Sequence, residues 1–179
     1  MFIKRKISPL KLDLIYSEST AQQITSLRDS TLKKGFLSSY EKIKFDGEII
    51  FNQDTLSVKF RLKGDYNDHR RSEKWSFRCY VKEGKKLLGM HTFSLQAPGT
   101  KGGLYEWYFH ELLKQEGFVG LQYQFVEFND NNRFKGVYAL EQSFDSALLT
   151  SNHQVNSPIL KFDKNILINQ SLLNNTLKK

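Results

Sequence analysis

Residues 58–89 read VKFRLKGDYNDHRRSEKWSFRCYVKEGKKLLG, and the way this stretch alternates decides the fold class. In its first run Val58, Phe60 and Leu62 point one way, and Lys59, Arg61 and Lys63 the other. In its second run Trp75, Phe77, Cys79 and Val81 oppose Lys74, Ser76, Arg78, Tyr80 and Lys82. A period of two is the signature of half-buried strands. Paired, these strands present one apolar face and one face with six cations: Lys59, Arg61, Lys63, Lys74, Arg78 and Lys82. A sheet does not need such a face for its own stability, and an anion would satisfy it. The polar loop between them, Gly64 to Glu73, is longer than ordinary hairpin loops of two to five residues, a length that marks a functional or mobile segment.

On the amino-terminal side, residues 1–16 form a mixed lead-in without a clean period. Ser19 opens a helix, with Gln22 placed to complete a capping box and Gly35 as its stop. Ala21, Ile24 and Leu27 give it a narrow apolar stripe. From Tyr40 the period becomes two. Lys42–Phe45 alternates, Asp46-Gly47 reads as a hairpin turn, Glu48–Phe51 returns, and Asn52-Gln53-Asp54 turns again. This pattern predicts an antiparallel meander.

On the carboxy-terminal side, His91 to Leu95 reads as a short strand. A glycine-rich connector, Ala97 to Gly103, leads into the strongest helix. Tyr105, Tyr108, Phe109, Leu112 and Leu113 give that helix a wide apolar face, expected to pack on the sheet. Glu106, His110 and Lys114 form a second, polar stripe. Strands Leu121–Phe128 and Arg133–Glu141 are joined by an Asn/Asp-rich turn. A short helical turn, Phe144–Leu149, and an apolar run, Ile159–Phe162, come next. The tail from Asp163 to Lys179 has no stable period or cap of its own and reads as a frayed helix or a disordered end.

The chain has 179 residues, 39% hydrophobic, which fits one domain with a real core or one lobe of a larger protein. Its 27 Lys and Arg against 19 Asp and Glu give a net charge of +8, favouring phosphate, nucleic acid or anionic surfaces as partners. The single cysteine, Cys79, excludes an internal disulfide and a cysteine metal cluster, and it falls on the apolar face. Of the four histidines, none pairs at metal-binding spacing on a helix. No phosphate-loop pattern surrounds Lys101-Gly102-Gly103, and no serine-hydrolase constellation is visible. No apolar run is long enough to span a bilayer, and no signal peptide is evident, so nothing directs the chain out of the cytoplasm.

The blocks RLKGDYNDH, EKWSFRCYVKEGKKLLGMHTFSLQ, YEWYFHELLKQEG, YQFVEFNDNNRFKGVYALEQSFD and SPILKFD, in that order, resemble the CotH family of spore-coat-protein-H-like atypical kinases. The resemblance runs from about Tyr40 to Asp163. It implies a divergent protein-kinase N-lobe: an α+β fold with an antiparallel sheet meander, one large packed amphipathic helix and a smaller N-terminal helix. It divides the chain into a lead-in and helix at 1–39, a kinase-like region at 40–163 and a tail at 164–179. It also implies ATP with Mg²⁺ as cofactors, a Ser-rich protein such as a bacterial spore-coat protein as substrate, and the cell envelope or spore coat as an alternative to a cytoplasmic location. By the resemblance, Lys74 takes the place of the nucleotide-binding lysine. Arg78 lies on the same strand face, and Glu106 looks like the helix acid that could pair with Lys74, while Arg61 and Lys63 are added to the candidate phosphate ligands from the basic face. Residues 140–144 would approach the hinge, and the Gly64–Glu73 loop would cover the phosphates.

The family's catalytic and metal-binding aspartates lie beyond the SPILKFD block, in a C-lobe. This chain stops sixteen residues after Asp163, and Asp65, Asp68 and Asp145 match no catalytic position, so transfer activity is not expected. The other reading is a non-catalytic basic module that binds a protein, an acidic polymer or, less readily, nucleic acid. A stacking platform for bases is poorly formed because only Tyr80 shares a face with the cations.

Overall fold

A computed structural model of the chain describes residues 10–154 and 158–160. The tail from Asp163 to Lys179 lies outside the described residues. Seven strands close into a barrel: β1 (Leu10–Ile15), β2 (Phe45–Phe51), β3 (Asp54–Leu62), β4 (Phe77–Val81), β5 (Thr92–Gln96), β6 (Tyr123–Asp130) and β7 (Arg133–Gln142). Their order around the barrel is β1-β2-β3-β4-β5-β7-β6. Among the described residues three α-helices accompany them: α1 (Glu18–Lys34), α2 (Tyr105–Gln115) and α3 (Ser146–Ser151).

The expected open α+β meander of kinase N-lobe type is therefore corrected to a closed barrel. The reason lies in the lead-in. Leu10, Leu12 and Leu14 alternate with polar residues, and β1 inserts between β2, antiparallel, and β6, parallel, with Leu12 opposite both Phe51 and Phe128. Closure removes both sheet edges. It also consumes the whole apolar face, so Leu12, Leu14, Val58, Phe60, Leu62, Phe77, Cys79, Phe93, Leu95, Phe128, Tyr138 and Leu140 fill one interior cluster.

Two local readings change with it. Asp46-Gly47 is not a turn but lies within β2, near its start; the turn is at Asn52-Gln53, both in the left-handed region that such hairpins need. Gly47 is there for closeness: a Cβ would stand 2.9 Å from the Ile15 carbonyl oxygen and 2.9 Å from the Phe60 ring. The first helix is capped by Ser17, whose hydroxyl accepts from the Thr20 amide, while Gly35 ends it as expected with φ 94°. Ile24 carries α1 into the interior cluster at one mouth of the barrel.

The long Gly64–Glu73 loop is fastened to α1. The Arg28 Nε donates to the Arg70 carbonyl at 3.0 Å, and Asn67 Nδ2 to the Leu32 carbonyl at 3.1 Å. Arg70 is wholly buried and donates to the Gly64 carbonyl at 2.6 Å. His69 and Ser76 are hydrogen-bonded at 2.9 Å, which ties the loop to the residue before β4.

The second correction concerns α2. Its wide apolar face does not meet the sheet: Tyr105 is 80% exposed, Tyr108 56% and Phe109 55%. The polar stripe faces inward instead, with His110 buried against Tyr123. Since the barrel interior holds the sheet's apolar face, α2 meets the outer surface of the sheet at β6, where His110 packs on Tyr123 beside the polar Gln96 and Glu141. No helix among the described residues is long and apolar enough to cross a membrane.

Candidate functional site

The outward residues of five strands form one row: Arg61 opposite Arg78, Arg78 opposite Ser94, Ser94 opposite Glu141, and Glu141 opposite Tyr123. Their inward neighbours, Phe60, Cys79 and Phe93, fix this facing through the strand period. The row begins with two guanidinium groups directly across from each other, an arrangement that is destabilising when nothing intervenes.

Arg61 donates to the Tyr80 hydroxyl at 3.1 Å and to the Leu62 carbonyl at 2.8 Å. Arg78 donates to the Ser143 hydroxyl at 2.7 Å. Neither forms an ion pair with a carboxylate among the described residues. A guanidinium has five N–H donors, so most of their capacity is unspent.

Lys63, one outward position along from Arg61, is committed elsewhere. Its ammonium donates to Gln96 at 2.6 Å and to Glu141 at 2.8 Å. Burial lowers its pKa; Glu141 opposes that shift, and the nearby charges of Lys101 and Arg78 add to it. Lys101 in turn lies 3.5 Å from Glu106, and Glu106 3.7 Å from His110. The positive cluster is thus Arg61, Arg78, Lys63 and Lys101, with Glu141 and Glu106 as its acids.

Lys74 is not part of it. Its ammonium lies over Gly136, 3.1 Å from where a Cβ would stand, at the barrel mouth where β7 begins. Arg78 reaches Ser143, beyond the other end of β7. Seven residues of strand separate the two points, roughly 23 Å at about 3.3 Å per residue. The cleft at the Lys74 mouth, about 660 Å³, mixes Arg28, Arg133 and Lys135 with Glu18, Glu73 and Asp130, and its buried Asp130 accepts from the Tyr16 hydroxyl at 2.7 Å.

Sequence reasoning thus placed Arg78, Arg61 and Lys63 on one surface, but Glu106, expected to pair with Lys74, lies beside Lys101 instead. It missed Ser143, Gln96 and Tyr123, which meet the row only through the β5–β7 and β6–β7 pairings. Cys79 is buried, and burial raises its pKa, so it is a core residue. A divalent ion does not fit this face: Glu141 is engaged by Lys63 and Gln96, and no three His, Cys, Asp or Glu side chains gather into a metal site among the described residues.

The chain matches no protein-family profile, and no curated protein matches it.

Two buried histidines set an expected pH dependence. Burial depresses the pKa of both His69 and His110; Asp68 and Glu106, respectively, oppose this without reversing it. Both therefore take up a proton less readily in the folded chain than in the unfolded one, where a histidine titrates near pH ~6.5. Below that pH the unfolded state takes up protons that the folded state refuses, so stability falls as pH falls. The urea midpoint should be lower at about pH 5.5 than at about pH 7.5, and a His69→Gln/His110→Gln double variant should flatten the slope. An unchanged slope in the double variant contradicts this assignment.

Proposed function

We propose that the outer face of β3 and β4 binds a polyphosphate, with Arg61 and Arg78 as its principal ligands and Lys63 and Lys101 supplying further positive potential. The observation that carries this reading is the opposed pair of arginines without an acid partner among the described residues. An anion between them would convert a repulsive cross-strand pair into two charge-assisted clamps. The Ser143 hydroxyl, already oriented by Arg78, stands beside them as a further polar group.

The resemblance to the spore-coat-protein-H-like kinases favours a nucleoside triphosphate, ATP, as the carrier of the phosphates. Any Mg²⁺ would then arrive with the nucleotide, since Glu141 is already engaged by Lys63 and Gln96. In this reading the chain holds the nucleotide through the phosphates, between Arg61 and Arg78. Asp65 is paired with Lys42, and Asp145 caps α3 through the Ala147 amide, so neither is placed to orient a hydroxyl nucleophile.

Isothermal titration with Mg-ATP and with inorganic triphosphate tests the proposal. Removing a hydrogen bond to a charged group costs about 1.5–3 kcal/mol, so Arg78→Ala should weaken binding about 10- to 100-fold, and Arg61→Ala/Arg78→Ala further. Lys74→Ala should change it by less than about twofold, because its charge lies well beyond a Debye length of ~8–10 Å. Absence of binding to wild type, or binding indifferent to both arginines, overturns the site. Oligonucleotide binding with a steep salt slope and no ATP binding would replace it with the nucleic-acid reading.

A further inference from the structure

We propose that the cleft between α1 and the β6–β7 turn binds a zwitterion of amino-acid or dipeptide size, its ammonium on Asp130 and its carboxylate on Arg133 and Lys135. This site is separate from the arginine pair and does not rest on it.

Several segments converge on the cleft. Glu18 and Arg28 come from α1, Glu73 from the end of the long loop, Asp130 from β6, and Arg133 and Lys135 from β7. Its volume, about 660 Å³, is that of an ordinary small-molecule site. Three cations and three acids line it, yet no two of them pair with each other among the described residues. Arg28 pairs instead with Asp29, which does not line the cleft.

That balance decides the class of ligand. A polyphosphate would meet three carboxylates, and a polyamine three cations. A metal ion is not served, because these acids do not gather into a metal site. A molecule with one charge of each sign satisfies both sides through charge-assisted hydrogen bonds.

Asp130 is the anchor. It is only 8% exposed. Its Oδ1 accepts from the Tyr16 hydroxyl at 2.7 Å, while Oδ2 accepts from no donor among the described residues and stays open to the cleft. Burial raises its pKa, and the charges of Lys135 and Arg133 oppose this without reversing it. An ammonium at Oδ2 would stabilise the charged form. The turn that carries Asp130 is already fixed. The Asn131 amide donates to the Leu14 carbonyl at 2.8 Å, and Asn131 Oδ1 accepts from the Tyr16 amide at 3.1 Å. Arg133 and Lys135, two positions apart on β7, share one strand face and form the cationic side. Trp75, with the Arg28 guanidinium 5.0 Å from its ring centre, supplies the apolar part of the wall.

Titration of the full chain with the dipeptide Ala-Ala, followed by NMR, tests the proposal. Ala-Ala should shift the Trp75 indole signal and the amides of 130–135, saturating in the millimolar range or below. N-acetyl-Ala-Ala lacks the ammonium and Ala-Ala amide lacks the carboxylate, so each should bind at least about tenfold more weakly. Arg133→Gln/Lys135→Gln should weaken Ala-Ala by at least about tenfold and leave Ala-Ala amide unchanged, a split that a merely structural role would not produce. Asp130→Asn should weaken Ala-Ala and leave N-acetyl-Ala-Ala unchanged. No shift with Ala-Ala at about 20 mM overturns the site. So does a blocked dipeptide that binds as tightly as the free one, or the same shifts produced by inorganic triphosphate.

Discussion

Phe60→Ala should destabilise the protein by about 3–5 kcal/mol, the range for removing a buried aromatic that leaves a cavity. Phe60 is fully buried on β3, and its ring is the hub of a chain of aromatic contacts. Tyr16 lies 5.0 Å away between ring centroids, and Phe45 and Phe77 each 6.0 Å. These contacts come from the residue after β1, from β2 and from β4, so the lost ring loosens several walls of the barrel together. Gly47 sharpens the effect, because its close approach to Phe60 fills the space that a side chain would otherwise occupy. Phe60→Leu should cost less, about 1–2 kcal/mol, since it keeps most of the volume. Urea unfolding followed by tryptophan fluorescence measures both. A loss below about 1 kcal/mol for Phe60→Ala would mean that the walls collapse onto the gap and that Phe60 is not the hub.

Arg70→Ala should cost about 3 kcal/mol, an unusually large effect for an arginine. The side chain is wholly buried and forms no ion pair with a carboxylate among the described residues. What it has are acceptors: the Gly64 carbonyl at 2.6 Å, the Lys63 carbonyl at 3.4 Å and the Asn67 amide oxygen at 3.5 Å. Burial lowers its pKa, with Asp68 and Asp65 opposing. Truncation leaves partly buried carbonyls without a donor and empties the volume of the stem. Arg70→Met restores the stem but not the donors, and should recover about 1 kcal/mol of the loss. The Gly64–Glu73 loop should then exchange its amides faster while β1 and β6 hold theirs. If alanine and methionine behave alike and cost under about 1 kcal/mol, the loop is held by α1 alone.

Much of this fold is legible in the chain. The alternation of Val58–Leu62 and of Trp75–Val81 marks β3 and β4, and β6 and β7 are visible with their joining turn. What sequence could not show is closure. The alternation in LKLDLI is present but short, a basic run at Lys4–Lys6 lies just upstream, and its decisive partner is a parallel strand more than a hundred residues away. That one strand changes the fold class from open sheet to barrel. It also misleads about α2, because periodicity identifies an apolar stripe without saying which surface it meets. Gly47 misleads for a local reason: Asp-Gly carries turn chemistry, yet here the glycine answers a close approach of Phe60 and the Ile15 backbone. At the candidate site, alternation alone put Arg61 and Arg78 on one face. Only the β3–β4 register makes them opposite neighbours, and only the path of β7 separates Lys74 from them.

The β1–β6 pairing has a consequence for how the chain is made. Tyr16, just past β1, bonds through its amide to Asn131, 115 positions further on. Translation delivers β1 well ahead of its parallel partner, which emerges only after most of the barrel has been synthesised. At ~5–20 residues per second, that wait is on the order of 6–20 seconds. During it, β2 can pair with β1 on one side while the other side stands open to any passing strand. Closing the ring is therefore a late step of biogenesis, and the nascent chain carries an exposed edge that the finished molecule does not have.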